Sequence, residues 1–573
     1  MRISLVILLF LFCNASYSQL ITEFDSLTYF SRMNSSIDSI DISCADSPST
    51  FDGGIAITSP FGLSVTSLFN NLTSPNFLPK ATWEKMEFSA MPHLGFSYSF
   101  GGQGSQFLKA KYNHAFSDSM LLQINYARRS GIGSIRNAFY SLDDVTAQFQ
   151  RLGKLYSMSL KGSFKGATIN HPGGIVTDSL IEDFGLDFSP VYKQNANSRN
   201  RTGEVHLINY FDFNKDSIRS LGLITSHKYD IQNRVYSEID TVFGIYNAVF
   251  IDSFSTRDQF NLASITNGGG IYFMNQQLYI DAIINHTYWD YQNLARHRDT
   301  SEISFSSSAR ANWKGFSMNN DLNFNILGRF NEFSDKLRLG YRKNKLATGL
   351  KFLYEQKAPS IFQRSYFSNN SSYNLSSISL QKWLKVDASV NYQFNENISV
   401  KAFSELVNIN KVYLFDGIQW ADSSFSGNFY SLGVNAGFKF GAFNIHPRFV
   451  YSSSNSNLLP KYQASSRIFL RGKIFRDKKL DAVLGVDVTY VSGFNTKRYI
   501  PSMDTYNWKV TPSSYAEQIN MHAFLSLGIS QFRFFFRYEN IGYFWSDKTS
   551  EVINNYPIAG SRLRIGLTWD FFN

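Results

Sequence analysis

The final thirteen residues, Ser561-Arg-Leu-Arg-Ile-Gly-Leu-Thr-Trp-Asp-Phe-Phe-Asn573, alternate with a period of two. In an extended strand Leu563, Ile565, Leu567, Trp569 and Phe571 share one face, and Arg562, Arg564, Thr568 and Asp570 the other. A chain that ends on a long, half-apolar strand presents an open edge, which in water is a template for aggregation. Pairing the last strand with the first removes that edge. The ending therefore points to a closed barrel whose assembly finishes on these five apolar residues.

The other end agrees. Met1–Ser18 has the layout of a secretory signal peptide: Arg2 at the start, a short apolar core over Ile3–Phe12, and Ser16 and Ser18 ahead of a cut between Ser18 and Gln19. The apolar run falls short of the roughly 17–25 residues that a membrane-spanning helix needs. Phe12 before Cys13 argues against a lipoprotein start, and no later stretch resembles a transmembrane helix. The mature chain keeps one cysteine, Cys44, which excludes an internal disulfide framework.

Aromatic residues make up 16% of the chain and charged residues 17%. So many rings need a place that is neither a soluble surface nor a single core. Membrane-facing bands and interfacial girdles around a polar lumen supply it. The formal charge of +10 would suggest nucleic acid in a cytosolic protein. Export removes that partner, and a basic lumen or loops against lipopolysaccharide phosphates account for the charge instead.

From Pro92 onward the sequence is a run of amphipathic strands with alternating connections. Leu108, Ala110 and Tyr112 oppose Lys109, Lys111 and Asn113; a turn at Ser117–Ser119 leads to Leu122, Ile124 and Tyr126. Tight turns recur at 151–154, 214–217, 275–277, 314–315, 343–345, 395–397, 441–442, 476–479 and 530–531, separated by longer connections such as 169–200, 233–255, 357–372, 413–425, 493–515 and 544–559. Short turns at one end and long loops at the other predict an all-β, antiparallel, up-and-down transmembrane β-barrel over 92–573. Its strand number should be even, about 22 within a range of about 20–24, with strands of about 10–14 residues. The turns should be periplasmic, the loops outside and both termini periplasmic, which places the chain in a bacterial outer membrane. Two regions fit the pattern less well: 330–345 has a short connection on the loop side, and 373–394 runs long. Residues 19–50, polar and rich in Ser and Asp, read as a periplasmic tail. Residues 51–91, more apolar and broken by Gly and Pro, read as a short inner, plug-like segment, since the bore of about 22 strands is usually filled.

Three stretches resemble the Putative porin family of Bacteroidota outer membranes: Thr66–Phe77, the hairpin region Tyr112–Gln150, and Asn555–Asn573 with its Tyr-Pro turn feeding Gly-Leu-Thr-Trp-Asp-Phe. The resemblance implies an outer-membrane barrel. It says little about passive diffusion, because the fold alone does not define what passes.

No catalytic constellation is present: no G-x-S-x-G elbow, H-E-x-x-H, Walker loop or C-x-x-C pair. The nine histidines are dispersed, so neither a catalytic site nor a resident metal or other cofactor is expected. Acidic and Ser-bearing segments such as 252–258 and 416–424 read as solvated loop rather than Ca²⁺ sites. The informative residues are the charges opposite the apolar faces. Lys109, Lys111, Arg338, Arg342, Arg467, Arg471, Lys473, Arg533, Arg537, Arg562 and Arg564 take the inward parity, as do Asp281, Glu355, Asp487, Glu539 and Asp570. A charge facing lipid at mid-depth costs about 2–4 kcal/mol, so these side chains are expected to line the lumen. They either lean the lumen toward anions or pair across strands and fill a polar interior.

The leading expectation is a porin-like channel for small hydrophilic solutes. Its other expected partners are outer-membrane lipid and, during biogenesis, the barrel-assembly machinery. Two alternatives remain open: a plugged, energy-coupled transporter, and a non-conducting scaffold that docks a periplasmic or lipoprotein partner through residues 19–77. The 73 residues of 19–91 are short for the globular plug of a TonB-dependent receptor, and no coupling box is visible.

Overall fold

A computed structural model describes residues 91–572 apart from short stretches within connections and turns (182–184, 216–218, 240–245, 247, 329, 376–377, 423–426, 454–458, 476–478, 508–513, 516, 546–547 and 549). It also describes Trp83, Met86 and Ser89. The signal peptide with its Ser18–Gln19 cut, the tail 19–50 and all but a few residues of the segment 51–91 lie outside the described residues.

Twenty-two strands form one closed antiparallel sheet. In chain order they are β1 (His93–Gly101), β2 (Gln106–Ser117), β3 (Met120–Gly131), β4 (Tyr140–Arg151), β5 (Tyr156–Asn170), β6 (Ala196–Lys215), β7 (Arg219–Glu238) and β8 (Thr256–Asn275). Then follow β9 (Leu278–Asn293), β10 (His297–Trp313), β11 (Phe316–Leu327), β12 (Phe333–Lys343), β13 (Leu346–Lys357), β14 (Gln381–Asn395) and β15 (Ile398–Asn410). The last seven are β16 (Gly427–Phe440), β17 (Phe443–Ser453), β18 (Tyr462–Ile474), β19 (Leu480–Val491), β20 (Gln518–Ile529), β21 (Phe532–Glu539) and β22 (Arg562–Phe572). Each strand pairs with its chain neighbours, and β22 closes on β1 in a ladder from His93 opposite Phe572 to Gly101 opposite Arg564. Closure satisfies the backbone without an edge, which hydrocarbon requires.

All connections at the end of the barrel that holds both ends of the sheet are tight turns, and the longer connections lie at the other end, together with short ones at 102–105, 294–296 and 328–332. At one such turn Lys314 (φ 43°) and Gly315 (φ 85°) both adopt positive φ, the backbone that a two-residue hairpin turn needs. Strand length departs from the expected span of about 10–14 residues. β21 has 8 residues, whereas β6, β7 and β8 have 20 each and carry the wall beyond the apolar belt. The two irregular regions are also resolved. The connection 328–332 is simply a short loop on the loop side. Residues 358–380 fold locally, with a single capped helical turn (Ile361–Arg364) and a small hairpin pairing Ser365–Phe367 with Ser372–Asn374.

The outer face is apolar and exposed, and it is bounded by rings. Phe213, Trp313, Phe394, Phe440, Phe475 and Trp569 stand at the turn end, and Phe100, Tyr229, Tyr288, Tyr430 and Tyr462 toward the loop end. Between them lie Leu223, Ile271, Ile284, Leu350, Leu432, Leu470 and Leu484. Two aromatic girdles around an aliphatic band define the depth of the bilayer. Inside, glycines make room for rings on the neighbouring strand. A Cβ on Gly433 would enter the ring of its register partner Phe403, and Gly566 stands in the same relation to Phe535, as does Gly485 to Phe524.

Candidate functional site: a charged lumen wall under a folded loop cap

The inward face of β18–β22 carries a continuous set of ion pairs. Asp481 is held by Arg471 through two bonds of 3.0 Å, and by Arg533 at 2.8 Å. Asp487 is held by Arg467 at 2.6 and 3.1 Å, and by Arg537 at 3.5 Å. Glu539 accepts from Arg562 and Arg564, each at 3.0 Å, with Arg537 3.9 Å away. On the neighbouring closure strand His93 lies 3.4 Å from Asp570. These groups fall opposite the exposed Leu563 and Trp569, on the buried side of the sheet that also carries Arg564 and Thr568.

Other expected residues are placed apart from this set. Lys109 is exposed, and Lys111 stands at a register position opposite Gly95. Arg338 and Arg342 are exposed on β12, and Lys473 is exposed at the turn end of β18, opposite Asp481 in register. Glu355 pairs with Lys357. Asp281 has a different task. Its Oδ1 accepts from the Ser308 backbone N–H (2.8 Å) and its Oδ2 from the Tyr279 hydroxyl (2.8 Å), at a point where the β9–β10 ladder skips two residues.

Several wall residues were missed in sequence. Asp481 shares the parity of Asp487, so the alternation could have found it. A second network joins Lys161, Glu204, Lys228 and Asp230 across β5–β7, and a third sets Lys385 between Asp387 (3.3 Å) and Glu405 (3.0 Å) on β14–β15. Trp83, ahead of β1, reaches the second network. Its Nε1–H donates to His206 Nδ1 at 3.1 Å, and the Lys161 ammonium lies 5.3 Å from its ring centroid.

The loop end is not an open mouth. Residues from eight of the eleven loop-side connections pack into two apolar clusters. One gathers Ile135, Ile175, Leu186, Val412, Leu459, Phe494, Tyr506, Ile553 and Tyr556; the other holds Phe362, Tyr366, Tyr373, Phe415, Trp420, Ile500 and Met503. Connections 411–426 and 492–517 contribute to both. Contacts cross the full width of the barrel. Arg234, on β7, is 2% exposed and donates from Nη1 and Nη2 to the carbonyls of Ser502 (2.5 Å) and Pro501 (2.6 Å), in the connection between β19 and β20. In a ring of 22 strands those positions are about half a turn apart.

The cap also buries polar groups. Lys193 pairs with Glu238, which accepts from the hydroxyls of Tyr236 and Tyr246, each at 2.6 Å. Burial pushes the His171 imidazole down to about 3, reinforced by the Arg234 and Lys193 charges; its Nε2 lies 2.8 Å from Ser198 Oγ. Burial raises the Asp504 carboxyl, against the pull of Arg234 and of the Tyr499 hydroxyl that donates to it at 2.6 Å. The acidic loop segments are used as turns: Asp252 accepts from the Phe254 N–H (2.8 Å), and Asp416 from the Ile418 (3.0 Å) and Gln419 (2.9 Å) N–H groups. Among the described residues no group of three His, Cys, Asp or Glu is placed to hold a metal ion.

A closed 22-strand sheet with an exposed apolar belt, a polar interior and long loops at one end defines an outer-membrane β-barrel. The chain belongs to the Putative porin family, which matches residues 88–573. No curated protein matches it. Its fold is similar to solved transport proteins at low identity. The FrpB iron transporter from Neisseria meningitidis (F5-1 variant) shares 9% identity over 84% of this chain and 83% of that one, with a TM-score of 0.59. The siderophore receptor PirA from Acinetobacter baumannii shares 10% over 85% and 81%, with a TM-score of 0.56. The copper transporter OprC shares 8% over 85% and 82%, with a TM-score of 0.60. These likenesses concern the fold.

Proposed function

We propose that this barrel carries small hydrophilic solutes across the outer membrane along its polar inner wall, and that the folded loop layer is its outer gate. The turn end with both termini faces the periplasm in this reading, the loops face outward, and the protein performs no catalysis. The observation that supports it is the pairing of a charged wall, exposed to water at Lys109, Arg338, Arg342 and Lys473, with a cap that spans the opposite end. A passive pore would leave its mouth open; a structural scaffold would have no need of a hydrated charged bore. Outer-membrane lipid surrounds the belt, and the assembly machinery receives the β22 strand during biogenesis.

Planar-bilayer recording on the folded, detergent-purified protein tests this reading. The intact protein should pass little current. A variant with residues 493–516 replaced by a short Gly-Ser linker should conduct steadily. Equal currents from the two would remove the cap as the gate, and silence from both would remove the channel.

One observation favours a second reading. Trp83, ahead of β1, sits on the inner wall at His206 and Lys161. An internally occluded, energy-coupled transporter would use such a segment, as would a scaffold whose residues 19–77 dock a periplasmic or lipoprotein partner. Trp83→Ala in the cap-shortened variant should raise conductance further if the preceding segment narrows the bore.

A further inference from the structure

A barrel's belt is apolar throughout where lipid is its only neighbour. On β6–β10 this one is not. By strand parity His227 on β7, Asn267 on β8 and His286 on β9 point outward with the belt residues. They are register partners, each eight residues from the turn end of its strand, and all three are exposed. Exposed Leu223, Ile271 and Ile284 lie nearer the turns, and exposed Tyr229, Ile265 and Tyr288 nearer the loops, so the three polar groups sit at hydrocarbon depth. On β13–β22 the outward positions four to eight residues from the turn end are apolar or aromatic, save Ser404 and Ser466. Asn320, Asn209 and Asp143 also face outward, but each is matched on its own wall. Asn320 Nδ2 donates to Asp335 at 2.6 Å, Asn209 Nδ2 to Thr225 at 3.0 Å, and the Tyr126 hydroxyl to Asp143 at 3.0 Å.

The three register partners are only half matched. His227 Nδ1 lies 2.9 Å from Asn267 Oδ1, and His286 Nε2 is hydrogen-bonded to Ser301 Oγ. Among the described residues nothing meets His227 Nε2, His286 Nδ1 or Asn267 Nδ2. In a neutral imidazole one nitrogen donates and the other accepts. The Asn267 oxygen places the His227 proton on Nδ1, which leaves Nε2 an acceptor. The Ser301 hydroxyl can donate to His286 Nε2, which leaves Nδ1–H a donor. The two open nitrogens complement each other, yet β8 separates them within one chain. Hydrocarbon offers no substitute for water, so open polar atoms at this depth call for a protein partner.

A second copy supplies the match. Two copies inserted the same way are related by an axis along the membrane normal, and a two-fold contact sets one patch against itself. With the axis at Asn267, β7 of one copy faces β9 of the other, and β6 faces β10. Because the three groups share one depth, each His227 acceptor falls opposite a His286 donor, and Asn267 opposite Asn267. The rim obeys the same operator. Arg201 on β6 and Asp299 on β10 are exposed, outward and each fourteen residues from the turn end, so the two-fold sets them opposite each other. Arg199 adjoins the first and Asp290 the second. Arg257, on β8 itself, stands four residues higher in water, where like charges are screened. Gly269 keeps the face low beside the axis: a Cβ there would meet nothing within 4 Å, so a facing wall can approach closely. We propose that the outer face of β6–β10 is a two-fold interface at which two copies of this chain pair in the membrane. The pairing stands whether or not the barrel conducts.

Cysteine cross-linking in intact outer membranes tests the axis. In a Cys44→Ser background, Asn267→Cys should oxidise to a covalent dimer under copper–phenanthroline, and Val434→Cys, exposed on the apolar arc, should not. Light scattering of the mild-detergent extract tests the complementarity. The parent should have the mass of two chains. Arg201→Asp and Asp299→Arg should each weaken dimerisation about tenfold, and the two together should restore it. Every variant should keep the heat-modifiable barrel, because both positions stand in water above the belt. A monomeric parent without the Asn267→Cys cross-link, a cross-link equally strong at Val434→Cys, or charge reversals that change nothing would overturn the interface. A trimer, or a monomer that retains lipid on this face, would overturn it as well by giving the open atoms another partner.

Discussion

Arg234 and Ser502 are 268 positions apart in the chain and arise from opposite sides of the barrel, yet the Arg234 Nη1 donates to the Ser502 carbonyl at 2.5 Å. This bond and its companion to Pro501 fasten the 492–517 connection to the far wall. Asp504 and Tyr499 complete the fastening beneath it.

Removing that guanidinium should release the connection. A buried hydrogen bond to a charged group is worth about 1.5–3 kcal/mol, and Asp504 would lose the cation that offsets its burial. Arg234→Gln should therefore leave the barrel heat-modifiable while residues 492–517 become cleavable by protease in intact cells. Resistance equal to that of the parent would show that the apolar clusters alone hold the cap.

Acid should loosen the same layer. His171 is held near 3 in the closed cap against an ordinary value of 6.5. The opened loop therefore takes up a proton that the closed form refuses. The stability it contributes is fully present above about 6.5 and is lost as pH falls toward 3, at about 1.4 kcal/mol per pH unit in that window. Asp504, raised by burial, works in the opposite direction, since protonation favours its buried form. Channel opening between pH 7 and pH 5 should increase in the parent and should be flatter in His171→Asn. An identical pH response from both would assign the effect to another group.

The two faces of one strand should respond oppositely. Leu350 is exposed on the belt, and Lys351 beside it is exposed on the inner face. Leu350→Arg should cost about 2–4 kcal/mol and sharply reduce the folded fraction recovered in lipid. Lys351→Leu should fold normally and change only ion preference. Similar folding losses from both would mean that the register of β13 is wrong.

Glycine at 433 is required by the ring it faces. Gly433→Val would drive Phe403 from its place on the wall, where Arg448 stacks on it 5.5 Å from the centroid. Overpacking of this kind costs about 1–3 kcal/mol. The urea concentration at half-unfolding in lipid should fall, and Gly433→Val with Phe403→Ala should recover most of the loss.

The wall was legible in the chain because period two is a local property. Arg562, Arg564, Arg467, Asp487 and Glu539 could be assigned a face from their neighbours alone, and the alternation of short and long connections yields the strand number. Strand length was less legible. β6, β7 and β8 continue past the belt as polar pairs such as Asn200 opposite Arg234, where no hydrophobic alternation marks the extension. The cap was not legible at all. Val412, Phe494, Ile553 and Ile175 sit in connections with no common period, and only the closed ring brings them together. The same holds for part of the charged wall, since Arg533 and Asp481 meet across β20 rather than within a hairpin.

The cap has a consequence for how such a surface can vary. Loops that stand alone can be exchanged one at a time, as antigenic drift or phage pressure demands. Here Trp420 and Met503 are each without solvent exposure in one core built from distant loops. A change of length in one connection would be felt by the rest, so the outward face should diversify as a unit, with compensating changes elsewhere, or hardly at all.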